Sequence, residues 1–266
     1  MAAVEFSMVE DGIGLIRLNR PDVMNAINGE WIEDFHAILD TVRENASVRT
    51  IVLTGAGRGF CAGMDLKADH AYSRGTKAEK AVKSWDTQER LALIVEKLTR
   101  LRQPVIAAVN GAAAGGGFAI ALGCDIRVAA RSASFLVANV KVGLSAGECG
   151  ISWLFPRLVG LSRCFELLIT GRRFGADEAE RIGLVSRVVD DEALMESALE
   201  IARAIAANSR FAVMMSKDVI YTNLSAPDIR TAQAIENRTQ MVCGATGDFN
   251  DAAKAFREKR RPVFKS

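Results

Sequence analysis

The sequence predicts an α/β fold: an α/β core over residues 1–194, followed by a helical C-terminal region over 195–266. Three observations predict it. Through the first half, short apolar strands alternate with amphipathic helical patterns, the order that builds a sheet flanked by helices. From about Gly147 helical periodicity dominates, and one strand interrupts it. Between these halves, residues 105–123 form an apolar run that turns at Asn110-Gly111 and passes Gly115, Gly116 and Gly117 into an apolar helix.

Taken in order, residues 4–10 and 14–18 alternate around Asp11-Gly12 as a hairpin does. Asn28 caps a helix over 29–44, where Trp31, Phe35, Ile38, Leu39 and Val42 recur at helical spacing. Residues 50–54 are a short apolar strand. A polar loop runs on to about Thr76, then a long helix to Leu101, which ends before Pro104. Strands 105–109 and 125–129 bracket the glycine turn and its helix. Helices follow over 149–158, 162–170, 192–208, 210–221, 227–243 and 248–257, with one strand within 183–189. No internal repeat or low-complexity linker divides the chain.

Composition narrows the function. A net charge of +2 gives no field that would select nucleic acid. The start Met-Ala-Ala-Val-Glu-Phe has neither the basic residues nor the apolar run of a signal peptide, so a cytoplasmic location is expected. Residues 103–124 carry no charge and are long enough to span a bilayer. Pro104, Asn110 and the glycines argue instead for a buried strand–turn–helix and no membrane partner. Five cysteines, odd in number and without C-x-x-C spacing, read as free thiols in a reducing compartment. His36 and His70 are isolated, so no metal site is expected. Gly55-Ala-Gly-Arg-Gly-Phe60 follows a strand but lacks the third glycine of a dinucleotide fingerprint, and no Gly-Lys-Ser/Thr occurs. No nucleotide cofactor is expected either.

Three motifs stand in a fixed order. Gly55-Ala-Gly-Arg-Gly-Phe-Cys-Ala-Gly-Met-Asp-Leu66 follows one strand, and Ala108-Val-Asn-Gly-Ala-Ala-Ala-Gly-Gly-Gly117 follows the next. Gly143-Leu144, Pro156-Arg-Leu-Val-Gly160, Thr170-Gly171, Ala176, Ala179 and Gly183-Leu-Val185 complete the set. Together they resemble the crotonase superfamily, the enoyl-CoA hydratase/isomerase family, over essentially the whole chain. The resemblance implies a crotonase-like spiral of ββα units, a C-terminal helical region that assembles trimers or dimers of trimers, and an acyl-CoA thioester substrate. Coenzyme A is then part of the substrate, and no separate cofactor is implied.

Carried over by motif, the backbone N–H groups of Met64 and Gly116 are the two donors of an oxyanion hole. A helix start with free N–H groups suits an oxygen on which negative charge develops. The family's hydratases place a glutamate two residues beyond the glycine triplet and a second four residues before the Gly143 position. Here these are Ala119 and Asn139. Glu148 is the remaining carboxylate, read either as a proton carrier or as a first-turn glutamate stabilised by a helix dipole. Asp65 is read as fixing the turn beside Met64, and His70 as a loop histidine. Cys149 has no histidine nearby in sequence to activate it, while Trp153 and Phe155 are read as core. The resemblance further implies substrate contacts at Arg58, Ala62, Lys67 and Asn139, and at Phe264 and Lys265 of the basic tail. The expected activity is that of an enoyl-CoA hydratase or isomerase. An isomerase using Glu148 alone, and an acyl-CoA binder without hydration chemistry, are the alternatives.

Overall fold

In the computed structural model, residues 2–68 and 74–264 are described. The hairpin forms as predicted: β1 (Val4–Glu10) pairs antiparallel with β2 (Ile13–Leu18), and Gly12 turns the chain at φ +73°. β2 then pairs in parallel with β3 (Thr50–Gly55). With β5 (Val105–Val109), β7 (Ile126–Ala130) and β10 (Arg187–Val189), these strands make one sheet in the order β1-β2-β3-β5-β7-β10. A second sheet holds four very short strands: β4 (Gly59–Cys61), β6 (Ala112–Ala114), β8 (Ser134–Leu136) and β9 (Phe174–Gly175).

The sheets share a winding. β3 and β4 precede helix α2 (Lys77–Arg100), β5 and β6 precede α3 (Gly116–Gly123), and β7 and β8 precede α4 (Ile151–Val159). Each turn contributes one strand to each sheet and then a helix, which is the repeated ββα unit of the expected spiral. Because a strand's side chains alternate, the larger sheet is buried on both faces. Ile51 and Leu53 of β3 face a core shared with α2, α3 and α1 (Gly29–Glu44). Val52, Ile106, Ala108 and Val128 face α7 (Leu194–Ala206), which lays Leu194, Ala198 and Ala202 on them. Full burial of a large apolar side chain contributes roughly 1.5–3 kcal/mol, so both faces are strongly stabilising.

Capping follows the sequence. Asn28 accepts from the Trp31 N–H at 2.9 Å, and α1 buries Trp31, Phe35, Leu39 and Val42. Thr76 and Glu79 form a reciprocal capping box at the start of α2, although only its last turns, from Leu91, are buried. Beyond α5 (Leu161–Thr170), α6 (Ala176–Arg181) and α7 come α8 (Arg210–Asn223), α9 (Ile229–Ala245) and α10 (Asp248–Arg257). α8 is tied to the core by Lys217, which donates to Asp125 Oδ2 at 2.8 Å and to the Leu98 and Gln103 carbonyls.

Three expectations shift. α4 begins at Ile151, not at residue 149, because Cys149 and Gly150 are left-handed. The second sheet and α6 go unseen in the sequence, since two- or three-residue strands carry no readable alternation. Trp153 is partly exposed under the Arg157 guanidinium, whereas Phe155 is fully buried with Phe118, Phe135 and Phe174. No helix among the described residues is long and apolar enough to cross a membrane. Among the same residues no disulfide forms, and no cluster of three histidine, cysteine or acidic side chains offers a metal site.

Candidate active site

Two loops from different turns of the spiral meet at one place. The first leaves β4 and is held by a single parallel bridge between Ile27 and Met64. Ile27 N–H donates to the Gly63 carbonyl at 2.8 Å, and Asp65 N–H donates to the Ile27 carbonyl at 2.9 Å. In a parallel bridge the residue between those two bonds turns its own N–H and C=O the other way. The Met64 N–H therefore points away from Ile27. Gly63, at φ +84°, brings this loop against the second one: a β-carbon there would stand 2.7 Å from the Ala114 carbonyl oxygen and 3.6 Å from the Gly116 nitrogen.

The second loop leaves β5 at Asn110, whose side chain accepts from Gly55 N–H at 3.1 Å and donates to the Gly57 carbonyl at 2.9 Å. It passes through β6 into α3, and the three glycines have three different reasons. Gly115 is left-handed at φ +50° and donates to the Leu136 carbonyl at 2.9 Å. Gly116 opens the helix beneath Ile27 and Leu91. Gly117 packs so tightly that a β-carbon would fall 2.2 Å from the Cys61 carbonyl oxygen. Among the described residues neither the Met64 nor the Gly116 N–H has an acceptor, and Gly116 lies at the positive end of α3.

The carboxylate comes from a third direction. Glu148 is half-buried, and its Oε1 stands 3.7 Å from where a β-carbon on Gly115 would be. It precedes α4 by three residues, so the first-turn reading does not hold. Instead it opens a tight turn, with Ile151 N–H donating to the Glu148 carbonyl at 2.8 Å and Cys149 and Gly150 at φ +45° and +80°. Positive φ at both central positions is the type I′ arrangement. Gln88 of α2 donates to Cys149 Sγ at 3.3 Å. Burial, then the neighbouring Glu148 carboxylate, pushes the Cys149 thiol up to about 12, which removes it as a nucleophile.

The other expected residues fall as follows. Ala119 is fully buried in α3 and offers no proton-transfer group. Asn139 is half-buried at the start of a 3-10 turn three residues beyond Leu136, and its carbonyl accepts from Leu144 N–H. Asp65 holds its turn: Arg20 donates to Oδ2 at 3.0 Å and Lys67 N–H to Oδ1 at 3.1 Å. Burial acts to raise the Asp65 carboxyl, but these bonds outweigh it and leave the group below its ordinary range. Ala62, Arg58 and Lys67 are exposed along the first loop, Ala62 N–H donating to the Met24 carbonyl and Arg58 lying against Met24 Sδ. Phe264 lines a cavity with Phe211 and Phe249 between α8, α9 and α10. His70 and Lys265 lie outside the described residues.

Sequence reasoning passes over the scaffolding. Arg20, Asn25 and Gln88 carry no motif signal on their own. Asn25, fully buried and left-handed, stitches the first loop by donating to the Ala56 and Gly59 carbonyls at 2.9 and 2.8 Å. Asparagine's tolerance of positive φ is the one hint available.

Comparison with known proteins identifies a family. A family model described as enoyl-CoA hydratase/isomerase matches residues 8–266. A Mycobacterium tuberculosis protein named "Probable enoyl-CoA hydratase EchA12" is 42% identical over 253 residues, covering 95% of this chain and 89% of its own length. The 1,2-epoxyphenylacetyl-CoA isomerase of Escherichia coli is 36% identical over 258 residues, 97% of each chain. The crystal structure of an enoyl-CoA hydratase from Bacillus anthracis superposes with a TM-score of 0.91 at 35% identity over 99% of both chains.

Proposed function

Because this chain belongs to the enoyl-CoA hydratase/isomerase family, we propose that it is an enoyl-CoA isomerase that moves a double bond with one carboxylate. The observation that carries the reading is the approach of Glu148 Oε1 to Gly115, next in the chain to Gly116, whose N–H, like that of Met64, has no acceptor among the described residues. The thioester oxygen accepts from the Met64 and Gly116 N–H groups. Glu148 takes a proton from C2 of a 3-enoyl-CoA, and the electron pair moves onto the thioester oxygen. As that charge returns through the chain of carbons, Glu148 delivers the proton to C4 and a 2-enoyl-CoA leaves. Backbone donors of this kind act most strongly on the charged intermediate, and losing one typically costs about 2.7–4 kcal/mol. Two-carboxylate hydration lacks its groups, because Ala119 has no proton to transfer and neutral Asn139 is a poor base.

Arg58 and Lys67 supply positive charge for the phosphates of coenzyme A. The exposed apolar side chains Phe165, Ile169, Ile229, Met241 and Phe249 are the surface on which copies assemble into trimers or dimers of trimers. Light scattering on the purified protein measures that directly, and a monomer at all concentrations would refute it.

The activity is tested by giving pure protein a 3-enoyl-CoA and a 2-enoyl-CoA in parallel. The expected result is conversion of the 3-enoyl to the 2-enoyl thioester, lost in Glu148→Gln. Hydration of the 2-enoyl substrate, favoured by the name of the Mycobacterium tuberculosis relative, would replace isomerase by hydratase. Tight acyl-CoA binding without turnover of either substrate would leave only the binder.

A further inference from the structure

We infer that Arg20 is a positioning residue that aims the Met64 N–H at the thioester oxygen, an inference that rests on the carbonyl-binding role just given to Met64. The bridge that orients Met64 is isolated, with only two hydrogen bonds, at Gly63 and Asp65. The other bonds between these segments, from Ala62 N–H to the Met24 carbonyl and from Cys61 Sγ to the Asn25 carbonyl, lie before Gly63, so the end at Asp65 is free to twist and a small rotation would turn the Met64 N–H off its target. Arg20 closes the open corner. Its Nη1 donates to the Ala26 carbonyl on one side of the bridge, and its Nη2 donates to Asp65 Oδ2 at 3.0 Å on the other. The planar guanidinium thus spans the two segments whose neighbours, Ile27 and Met64, form the bridge, and adds two charge-assisted bonds to it.

Arg20 is itself fixed. Its N–H donates to Asn25 Oδ1 at 2.8 Å and its carbonyl accepts from Asn25 N–H at 2.8 Å, so the clamp is mounted on a stitched turn. Its side chain is largely covered, as is that of Asp65. On the far side, Gly63 rests on the Ala114 carbonyl and near the Gly116 nitrogen. The guanidinium, Asp65, the bridge and Gly63 are therefore one continuous brace from the end of β2 to the start of α3. Lysine would supply the charge but not the fork, and would reach one of the two acceptors at a time.

The test reads carbonyl polarisation and turnover separately. A saturated acyl-CoA with a carbon-13-labelled thioester carbonyl is bound to wild type, Arg20→Lys, Arg20→Gln and Arg20→Ala, and its infrared stretch is recorded. The expected result is a downshift in wild type that shrinks by at least half in all three variants. Added guanidinium partly restores it in Arg20→Ala. On the turned-over substrate, kcat falls about tenfold or more while KM changes less than about threefold. A raised KM with an unchanged stretch and kcat would make Arg20 a contact to coenzyme A and overturn the inference. An unchanged stretch in folded Arg20→Gln overturns it too. The stretch needs no turnover, so an inactive wild type that still shows the shift refutes the isomerase while sustaining the positioning role. A wild type that binds acyl-CoA without any shift, or does not bind it, refutes both.

Discussion

The two sides of the candidate site are built by different means. On the donor side, Met64 and Gly116 present backbone groups, and every feature that aims them is buried or clamped. Gly117 lies on the Cys61 carbonyl, Gly63 on the Ala114 carbonyl, and Asn25 and Arg20 stitch the turns between. On the acid side, Glu148 hangs from a turn preceded by five exposed residues, Lys141 to Ser145, and pinned to the core by buried Cys149, which Gln88 meets. The donor side is thus backbone clamped inside the core, while the acid side is a turn anchored through Cys149 after an exposed loop. The difference predicts that main-chain donors come with the fold, whereas the carboxylate can be exchanged without disturbing it.

That difference predicts a split between activity and stability. The largest effect is expected from Glu148→Gln, which should lower isomerisation by about 10²–10⁴-fold, the range of a lost acid–base group. The melting temperature should stay within about 2 °C of wild type, since a change of even 1 kcal/mol moves a chain of this size by roughly that much. A large melting shift would mean that Glu148 belongs to the scaffold after all. Next comes Gly117→Ala. Its methyl would lie 2.2 Å from the Cys61 carbonyl oxygen, so backbone must move. The expected cost is about 1–3 kcal/mol of stability in denaturant melts, together with lost activity. Gly143→Ala, on the acid side, is the matched control. Nothing lies within 4 Å of the added carbon, and only the left-handed φ of +79° opposes it. It should cost roughly 1–2 kcal/mol and leave acyl-CoA binding intact, as calorimetry would show.

The same division explains what the sequence made legible. The helix over 29–44, with its Asn28 cap, and the strand over 105–109 have the bounds their sequence predicts, because local capping and apolar runs determine both. The glycine turn is legible too, since Gly115 is left-handed and Gly117 lies against the Cys61 carbonyl, places where other residues are strained. The acid side was half legible. The sequence singles out Glu148 but suggests a helix start there, and nothing in it signals the left-handed Cys149 that delays α4. Cysteine has no preference for positive φ, and the Gln88 that meets it lies 61 residues away in sequence. Arg20, Asn25 and the four-stranded sheet were hidden for the same reason: their roles exist only between segments distant in the chain.

The smallest expected effect concerns a brace behind the donor side. His36 of α1 is buried, and its Nε2 lies 3.0 Å from the Arg90 carbonyl of α2, one residue before the Leu91 that packs near Gly116. Burial is the first cause that pushes the His36 imidazole below its ordinary value. Protonation therefore favours the unfolded chain, where histidine titrates near about 6.5. The stabilisation is complete above that pH and drains away as pH falls through the lower folded value. Wild-type melting temperature should decline between about pH 6.5 and 5 more steeply than that of His36→Gln, whose amide can still donate to the Arg90 carbonyl without titrating. Parallel slopes for the two proteins would mean that the α1–α2 brace does not sense protons.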